Sequence, residues 1–548
     1  MLEWLTNRGQ KTDHPMHSIE EAQRLLSGLP DDPLKAIEEA TSWLTTITSA
    51  TGFETATRID VLMLVDESGQ PFEPELNRLF LTSPTLTEFE RLQQWQAALQ
   101  FWERLADAYG LCLDGIRGEP KQLRAHQNRL PLLIVRIMRA YANQAKVRRL
   151  RYLEVPAQLW QKLFDLYRTG EDAGCNNLRV TAYAGETLQT TARQELLRAL
   201  MLDAAAPESM SPPQTELAAR ITARFADVFL LKAAPAAGCN WSIDLAQPCR
   251  PELATGNAAP PATALFFGAG AAITKIQEVI RRLKAEPAAA EKRFGEEYSS
   301  PQKLAALNRV LRFWGEHPPT RSEPRRNTAT EITVAHGFRD ACRAIPRIKF
   351  RGWAEFVVSM DPKLKEKLGF DPAVETTDVP TEKWLQQDVS VRGLGVIVPR
   401  ASESRIALGA LCLLQAGGQA WRIGAVRRLY RDGEKRLHAG IELLGATPRT
   451  LWLRRVEQGG LHVDHRSATA SSSIYDYLHV IQPDDNADAA HAHELLLAHG
   501  DFVPGLVYEA KTDDPRPQLR FEELLEQGGD FDRVRFSSIA RDAGPVKN

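Results

Sequence analysis

The sequence predicts an α+β chain of several domains. An all-α helical bundle or solenoid covers residues 1–320, an antiparallel β-barrel domain covers 321–455, and a further β-rich unit covers 456–548. Three observations predict this order. Apolar residues recur at helical spacing up to about residue 320. Beyond it they fall into short runs broken by Gly, Pro and Asp turns. At 548 residues the chain is long enough for two to four domains, each with its own core.

Composition narrows the class. Apolar residues make up 43% and charged residues 25%, ordinary values for a soluble globular protein. A formal net charge of -2 excludes a generally basic, nucleic-acid-coating surface, so no nucleic-acid partner is expected. Cys112, Cys175, Cys239, Cys249, Cys342 and Cys412 are scattered without any C-x-x-C pair, so neither a zinc site nor a disulfide framework is read from them. Met1 to His17 carries charges throughout and does not read as a signal peptide. No apolar run approaches the roughly 18 to 20 residues that cross a bilayer. The expectation is a cytoplasmic chain with reduced thiols and no membrane insertion.

The helices are read in order. Ser18 to Leu29 opens S-I-E-E and ends at Gly28 and Pro30. Asp32 to Ser49 has Pro33 in its first turn and Leu34, Ile37, Ala40 and Leu44 on one side. Thr87 to Tyr109 carries Phe89, Leu92, Trp95, Leu99, Trp102 and Leu105 at helical spacing, a core stripe. Leu123 to Leu150 reads as one long helix ending in the basic run Lys146 to Tyr152, whose cations suit a helix C-terminus. Val155 to Tyr167, Thr187 to Leu202 and Pro213 to Leu231 follow. No fixed period marks a named repeat family.

From Ala233 to Phe267 the composition shifts to Ala, Pro and Gly, which fits either a small strand-containing insert near 233–270 or a crossover. Phe266 to Ala272 reads F-F-G-A-G-A-A before a helix, Ile273 to Leu283. It lacks the third glycine of a dinucleotide fingerprint and the G-K-[ST] of a P-loop, so it reads as a helix-entry turn. Pro301 to Trp314 is the last helix, and His317 to Arg321 reads as a linker.

The barrel prediction rests on the stretch Asp388 to Pro399, D-V-S-V-R-G-L-G-V-I-V-P, read as a turn feeding a strand. Gly393 and Gly395, two apart before β-branched residues, suggest positive φ or a close approach onto which Asp388 and Ser390 project. Leu408 to Leu414, Trp421 to Leu429 and His438 to Gly445 continue the ladder. These residues resemble the PilZ domain family, whose pattern is D/N-x-S-x-x-G opening a strand, a basic V-R pair, and a late G-I-E-like strand. Here they are Asp388, Ser390 and Gly393, then Val426 with Arg427, then Gly440, Ile441 and Glu442. The family's R-x-x-x-R ahead of the first strand is matched by Arg321 and Arg325, with Arg326 next, before a strand near Glu331 to His336. An insertion over 337–383 contains a helical reading, Gly337 to Arg347, and a second R-x-x-x-R, Arg339 and Arg343, ranked as the alternative pair.

The chemistry of these residues can be argued from the side chains themselves. Arginine offers a rigid fork of donors to phosphate oxygens and to the O6/N7 edge of guanine. A carboxylate accepts from guanine's N1–H and amino group, and a serine hydroxyl can join it. What the resemblance implies is a bacterial cyclic di-GMP receptor or adaptor, with Arg321, Arg325, Arg326, Asp388, Ser390, Arg392 and Gly393 binding the dinucleotide and a protein partner engaged through the helical region. Because Arg321 and Arg325 lie in the linker between the helical region and the barrel, a ligand that fixes both is expected to reorient the helical region relative to the β domains. No cofactor and no catalytic set are read, so an enzyme is not expected. Two alternatives stand beside this reading: a degenerate PilZ-like module for protein contacts, and an unrecognised enzyme in the helical region. Downstream, Leu495 to Leu497, Phe502 to Tyr508, Gln518 to Glu523 and Phe531 to Phe536 read as strands of an additional β unit, or as strands completing the barrel. His491, His493 and His499 match no ligand spacing, so no metal site is expected.

Overall fold

The computed structural model describes residues 12–254, 259–286, 294–320, 324–348, 350–360, 379–456, 477–484, 493–513 and 518–539. It divides into two units, Met1–Thr320 and Arg321–Asn548.

The first unit is helical. Helices α1 (Ile19–Leu26), α2 (Pro33–Ser49), α3 (Thr55–Gly69) and α4 (Phe72–Thr82) precede the long α5 (Glu88–Gly118). Asp32 caps α2 by accepting from the Lys35 amide, and Thr87 with Glu90 forms a capping box on α5, satisfying amides that a helix start leaves orphaned. The α5 stripe is core. Trp95 donates to the Val147 carbonyl at 2.7 Å and Trp102 to Glu73 at 2.9 Å, while Phe89 lies off the stripe at 68% exposure.

The single helix expected over Leu123 to Leu150 is two, α6 (Pro120–His126) and α7 (Leu130–Arg149). Pro131 has no N–H to give to a preceding turn, so it sits in the first turn of α7. Then come α8 (Ala157–Asp172), α9 (Ala192–Ala204) and α10 (Pro212–Phe225). The Ala/Pro/Gly-rich stretch is a strand-containing insert. Strands β1 (Leu230–Lys232), β2 (Trp241–Asp244), β3 (Glu252–Leu253) and β4 (Ala264–Gly268) form a sheet in the order β1-β4-β2-β3. The glycine-rich run joins β4 to α11 (Ala272–Ala285), and α12 (Ser300–Trp314) ends the unit.

One side of α7 carries cations into the core, and each meets carboxylates of other helices. Arg136 bonds Asp66 and Glu67 of α3, and Arg139 bonds Glu195 of α9 at 2.8 Å and Glu186. Lys146 meets Glu216 of α10 at 3.2 Å, and Arg149 meets Asp203 of α9 at 2.5 Å. Burial raises Asp66 to about 6 despite Arg136 and the Tyr109 hydroxyl. Burial also opposes ionisation of Glu195, but Arg139 and Arg198 outweigh it and hold that carboxylate at about 2. The basic run at the end of α7 is therefore absorbed within the bundle, since Arg148 and Arg151 pair with Glu103 and Glu88. Such pairs fix the mutual placement of helices more than they add net stability.

The second unit holds two closed antiparallel barrels. The first contains β5 (Arg326–His336), β6 (Glu382–Ser390), β7 (Gly393–Val398), β8 (Leu411–Ala416), β9 (Arg422–Arg431) and β10 (Leu437–Gly445), ordered β10-β7-β6-β5-β8-β9. The second contains β11 (Arg449–Arg455), β12 (Tyr477–Gln482), β13 (Glu494–Ala498), β14 (Val507–Ala510), β15 (Gln518–Gln527) and β16 (Phe531–Ile539), ordered β11-β12-β13-β16-β15-β14. The later strands thus close a barrel of their own, and β11, placed before the 455 boundary in the sequence reading, is its first strand. Closure removes the exposed strand edges that invite aggregation.

The insertion between β5 and β6 ties the barrels together. Its helix α13 (Phe338–Ala344), with Ile345 following, buries Ala341, Cys342 and Ile345 among Leu411, Leu413 and Ile423 of the first barrel and Ile481, Leu496 and Phe531 of the second. The Asp530 carboxylate accepts from the Phe338 amide at 2.7 Å and the Leu411 amide at 2.9 Å. Helix α14 (Trp353–Ser359) lays Phe356 on Trp452 and Tyr477 of the second barrel.

Candidate functional site

Alternation along β6 makes Trp384 and Gln386 inward residues, both buried, and would turn Asp388 inward as well. A β-bulge prevents this. Pairing with β7 runs Leu385↔Ile397 and Gln386↔Val396, then skips Gln387 to Asp388↔Gly395 and Ser390↔Gly393. The extra residue rotates Asp388 and Ser390 to the outer face, the re-aiming that bulges provide beside functional sites. A matching shift occurs in β5 between Asn327 and Thr330. Asp388 and Ser390 therefore end a strand; the turn is Val391 and Arg392, and β7 begins at Gly393.

The chain entering β5 then meets this carboxylate. Arg325 Nη1 lies 2.5 Å from Asp388 Oδ1, with both side chains about one-quarter exposed (23% and 26%). Beneath the carboxylate the barrel wall carries a glycine, Gly395, which is buried under it. A Cβ on Gly395 would stand 2.8 Å from Asp388 Oδ1. Across β10, Gly440 pairs with Gly395 and, on its other side, with Arg428. Directly paired residues share a face, so Asp388, Gly395, Gly440 and Arg428 form one outward row, in which the Asp388 carboxylate lies over the buried Gly395 and the Arg428 stem lies beside Gly440.

The structure distributes the remaining predicted residues as follows. Arg321 lies outside the described residues. Arg326 opens β5, exposed and opposite Val389. The Ser390 hydroxyl donates to the Gly393 carbonyl at 3.2 Å. Arg392 is exposed, and its carbonyl accepts from the Leu443 amide at 2.9 Å. Gly393 serves the barrel itself, since a Cβ there would be 2.6 Å from the Ile441 carbonyl oxygen. Arg339 and Arg343 lie on α13, at the other end of the 11-residue β5, about 33 Å along the strand. Arg343 bonds Asp340 at 3.2 Å. Arg427, from the V-R pair, bridges Glu442 and Glu526 of the second barrel, each at 2.7 Å.

Sequence reasoning missed Arg428, Tyr430 and His438. Tyr430 and His438 are directly paired across β9 and β10 and stack at 4.5 Å with 14° between the rings. The one available signal was the alternation R-R-L-Y, which puts Arg428 and Tyr430 on one face. At the far end of the barrel Glu382 gathers Ser402, Trp384, His336 and Arg405. Burial works against its charge, but those hydrogen bonds hold it at about 2. Among the described residues no group of His, Cys, Asp or Glu has the arrangement of a metal site, and no helix is long and apolar enough to cross a membrane.

Residues 20–236 match the family described as the cyclic-di-GMP receptor FimW, N-terminal domain. The matched segment runs from α1 into the small β1-β4-β2-β3 sheet and ends before both barrels. No curated protein matches the chain. The match and the motifs of the first barrel therefore come from separate parts of the chain, and neither borrows residues from the other.

Proposed function

We propose that the chain is a bacterial cyclic di-GMP receptor that holds the dinucleotide on the outer face of the first barrel and signals to a protein partner through its helical region. The observation that carries this reading is the Arg325–Asp388 contact beside the Gly395 floor. In the free protein the two charges satisfy each other. A ligand that separates them must offer an anion to Arg325 and paired N–H donors to Asp388, or leave one group stranded at a cost of about 1 to 3 kcal/mol. A guanine nucleotide with phosphates offers both. Arg326, next to Arg325 in sequence, and Arg321, four residues before it and outside the described residues, would add phosphate contacts, and Ser390 would join Asp388 on the guanine edge. The family matched by residues 20–236 is described as a cyclic-di-GMP receptor, which supports the same ligand from a different part of the chain.

A second reading draws on the same pair. Because Arg325 and Asp388 already satisfy each other, the barrel would also serve as a module for protein contacts alone. Titration of the full chain with cyclic di-GMP and cyclic di-AMP separates the two. The receptor reading expects binding of the guanine ligand and at least tenfold weaker binding of the adenine one, since adenine offers Asp388 no N1–H. Equal affinities, or none, would leave the protein-contact reading.

A further inference from the structure

The glycine floor has a wall along one side, which the motif residues do not explain. The outward row next to Asp388–Gly395–Gly440–Arg428 is Leu385–Ile397–His438–Tyr430, from the same strand pairings. In it the His438 ring is held at both nitrogens, Nδ1 at 2.7 Å from Gln387 Oε1 and Nε2 at 2.9 Å from Asp432 Oδ2. Gln387 is the bulged residue of β6, so the bulge that turns Asp388 outward also supplies the anchor for His438. Asp432 is itself fixed, accepting from the Arg436 amide at 2.9 Å and from Arg436 Nε at 2.8 Å. Tyr430 lies flat against this imidazole. Cross-strand aromatic pairs commonly add only a few tenths to 1 kcal/mol to a sheet. This one is held from three strands and borders the row in which two glycines, Gly395 and Gly440, separate Asp388 from Arg428.

We infer that the Tyr430–His438 stack is the platform for the second base of the dinucleotide, whose first base is read by Asp388. This rests on the receptor reading above. From β6 to β9 the row crosses three strand spacings, about 14 Å, a span suited to a ligand with two purines. Arg428, two residues before Tyr430 on the same face, begins 3.4 Å from where a Gly440 side chain would start. A cation thus borders the floor at the Tyr430 end as Arg325 does at the Asp388 end, matching a ligand with two phosphates between its bases. Stacking tolerates any flat base, so this end supplies affinity while Asp388 supplies the choice of guanine.

The test is calorimetry on the full chain with cyclic di-GMP and with GMP, which has one base. Tyr430→Ala is expected to weaken the dinucleotide five- to hundredfold and to change GMP affinity less than twofold, because the single guanine takes the Asp388 end. Tyr430→Phe, which keeps the ring face, should restore most of the dinucleotide affinity. Tyr430→Leu repeats the loss with apolar bulk retained, should Tyr430→Ala fold poorly by circular dichroism. If Tyr430→Ala and Tyr430→Leu bind the dinucleotide as the wild type does while Arg325→Ala does not, the platform is wrong and the receptor reading stands. Equal losses for dinucleotide and GMP would also overturn the second-base assignment. If the wild-type chain binds no cyclic di-GMP, both fall together.

Discussion

The two barrels share strand number, antiparallel closure and one local device, a histidine stacked on an aromatic ring directly across from it. In the first barrel the pair is Tyr430–His438, at 4.5 Å and 14°; in the second it is Trp452–His479, at 4.4 Å and 10°. Their surroundings differ. The first pair borders a glycine floor and is anchored by polar groups at both imidazole nitrogens. The second is covered by Phe356 from α14, which packs edge-on against Trp452 at 5.7 Å, and Trp452 is 1% exposed. The same pair serves as a candidate binding wall where Tyr430 is half-buried beside the buried His438, and as core where an insertion covers Trp452. Function belongs to the site and its exposure, not to the barrel.

The largest effect should fall on the covered pair. Trp452→Ala removes a buried aromatic side chain and is expected to cost about 3 to 5 kcal/mol of stability, measured by urea unfolding, while cyclic di-GMP affinity stays within twofold. A ligand-affinity loss of tenfold would erase the contrast between the barrels. In the first barrel Gly395→Val should act the opposite way. Its branched side chain would occupy the space of the Asp388 carboxylate, so calorimetry should show cyclic di-GMP binding weakened at least thirtyfold, roughly 2 kcal/mol, in a barrel that still folds.

What was legible follows the same division. Strands β7 to β10 and the end of β5 can be read from alternation and turn residues, whereas β6 cannot: its polar run Glu382–Ser390 reads as an insertion followed by a turn. The bulge at Gln387 cannot be read, because it is defined by hydrogen-bond register with neighbouring strands. Alternation by itself would have put Asp388 inside with Trp384. The partner of Arg427 is Glu526, 99 residues away, and the carboxylates that absorb the α7 cations come from several other helices. Helix α3 was passed over because its unbroken apolar run Val61-Leu62-Met63-Leu64-Val65 goes all the way round the helix, which blurs a one-sided stripe. The insertion's helix α13 was expected, but its role between the barrels depends on contacts with strands far along the chain.

A smaller effect is expected in acid from the second barrel's buried His479. Burial, with Arg347 nearby, pushes His479 down to about 3 from its ordinary 6.5. Between those values the unfolded chain binds a proton that the folded barrel refuses. The stabilising contribution is therefore full above pH 6.5 and is lost as pH falls, by up to about 1.4 kcal/mol per unit. Urea unfolding from pH 7 to 4 should show this slope, and His479→Gln should flatten it. An unchanged slope in that variant would assign the acid sensitivity to other groups. The smallest effect is expected at the second barrel's exposed Arg535–Glu523 pair, 2.7 Å apart with both side chains more than half exposed. Arg535→Ala should change stability by less than about 0.5 kcal/mol and ligand affinity not at all.

The central claim is that the Arg325–Asp388 pair is the seat of the ligand. Calorimetry of the full chain with cyclic di-GMP at low micromolar concentration, wild type beside Arg325→Ala, tests it most directly. The expected result is saturable binding by the wild type and a loss of about ten- to hundredfold in the variant, the value of a charge-assisted contact of roughly 1.5 to 3 kcal/mol. Equal affinities for the two proteins, or no binding by the wild type, would contradict it.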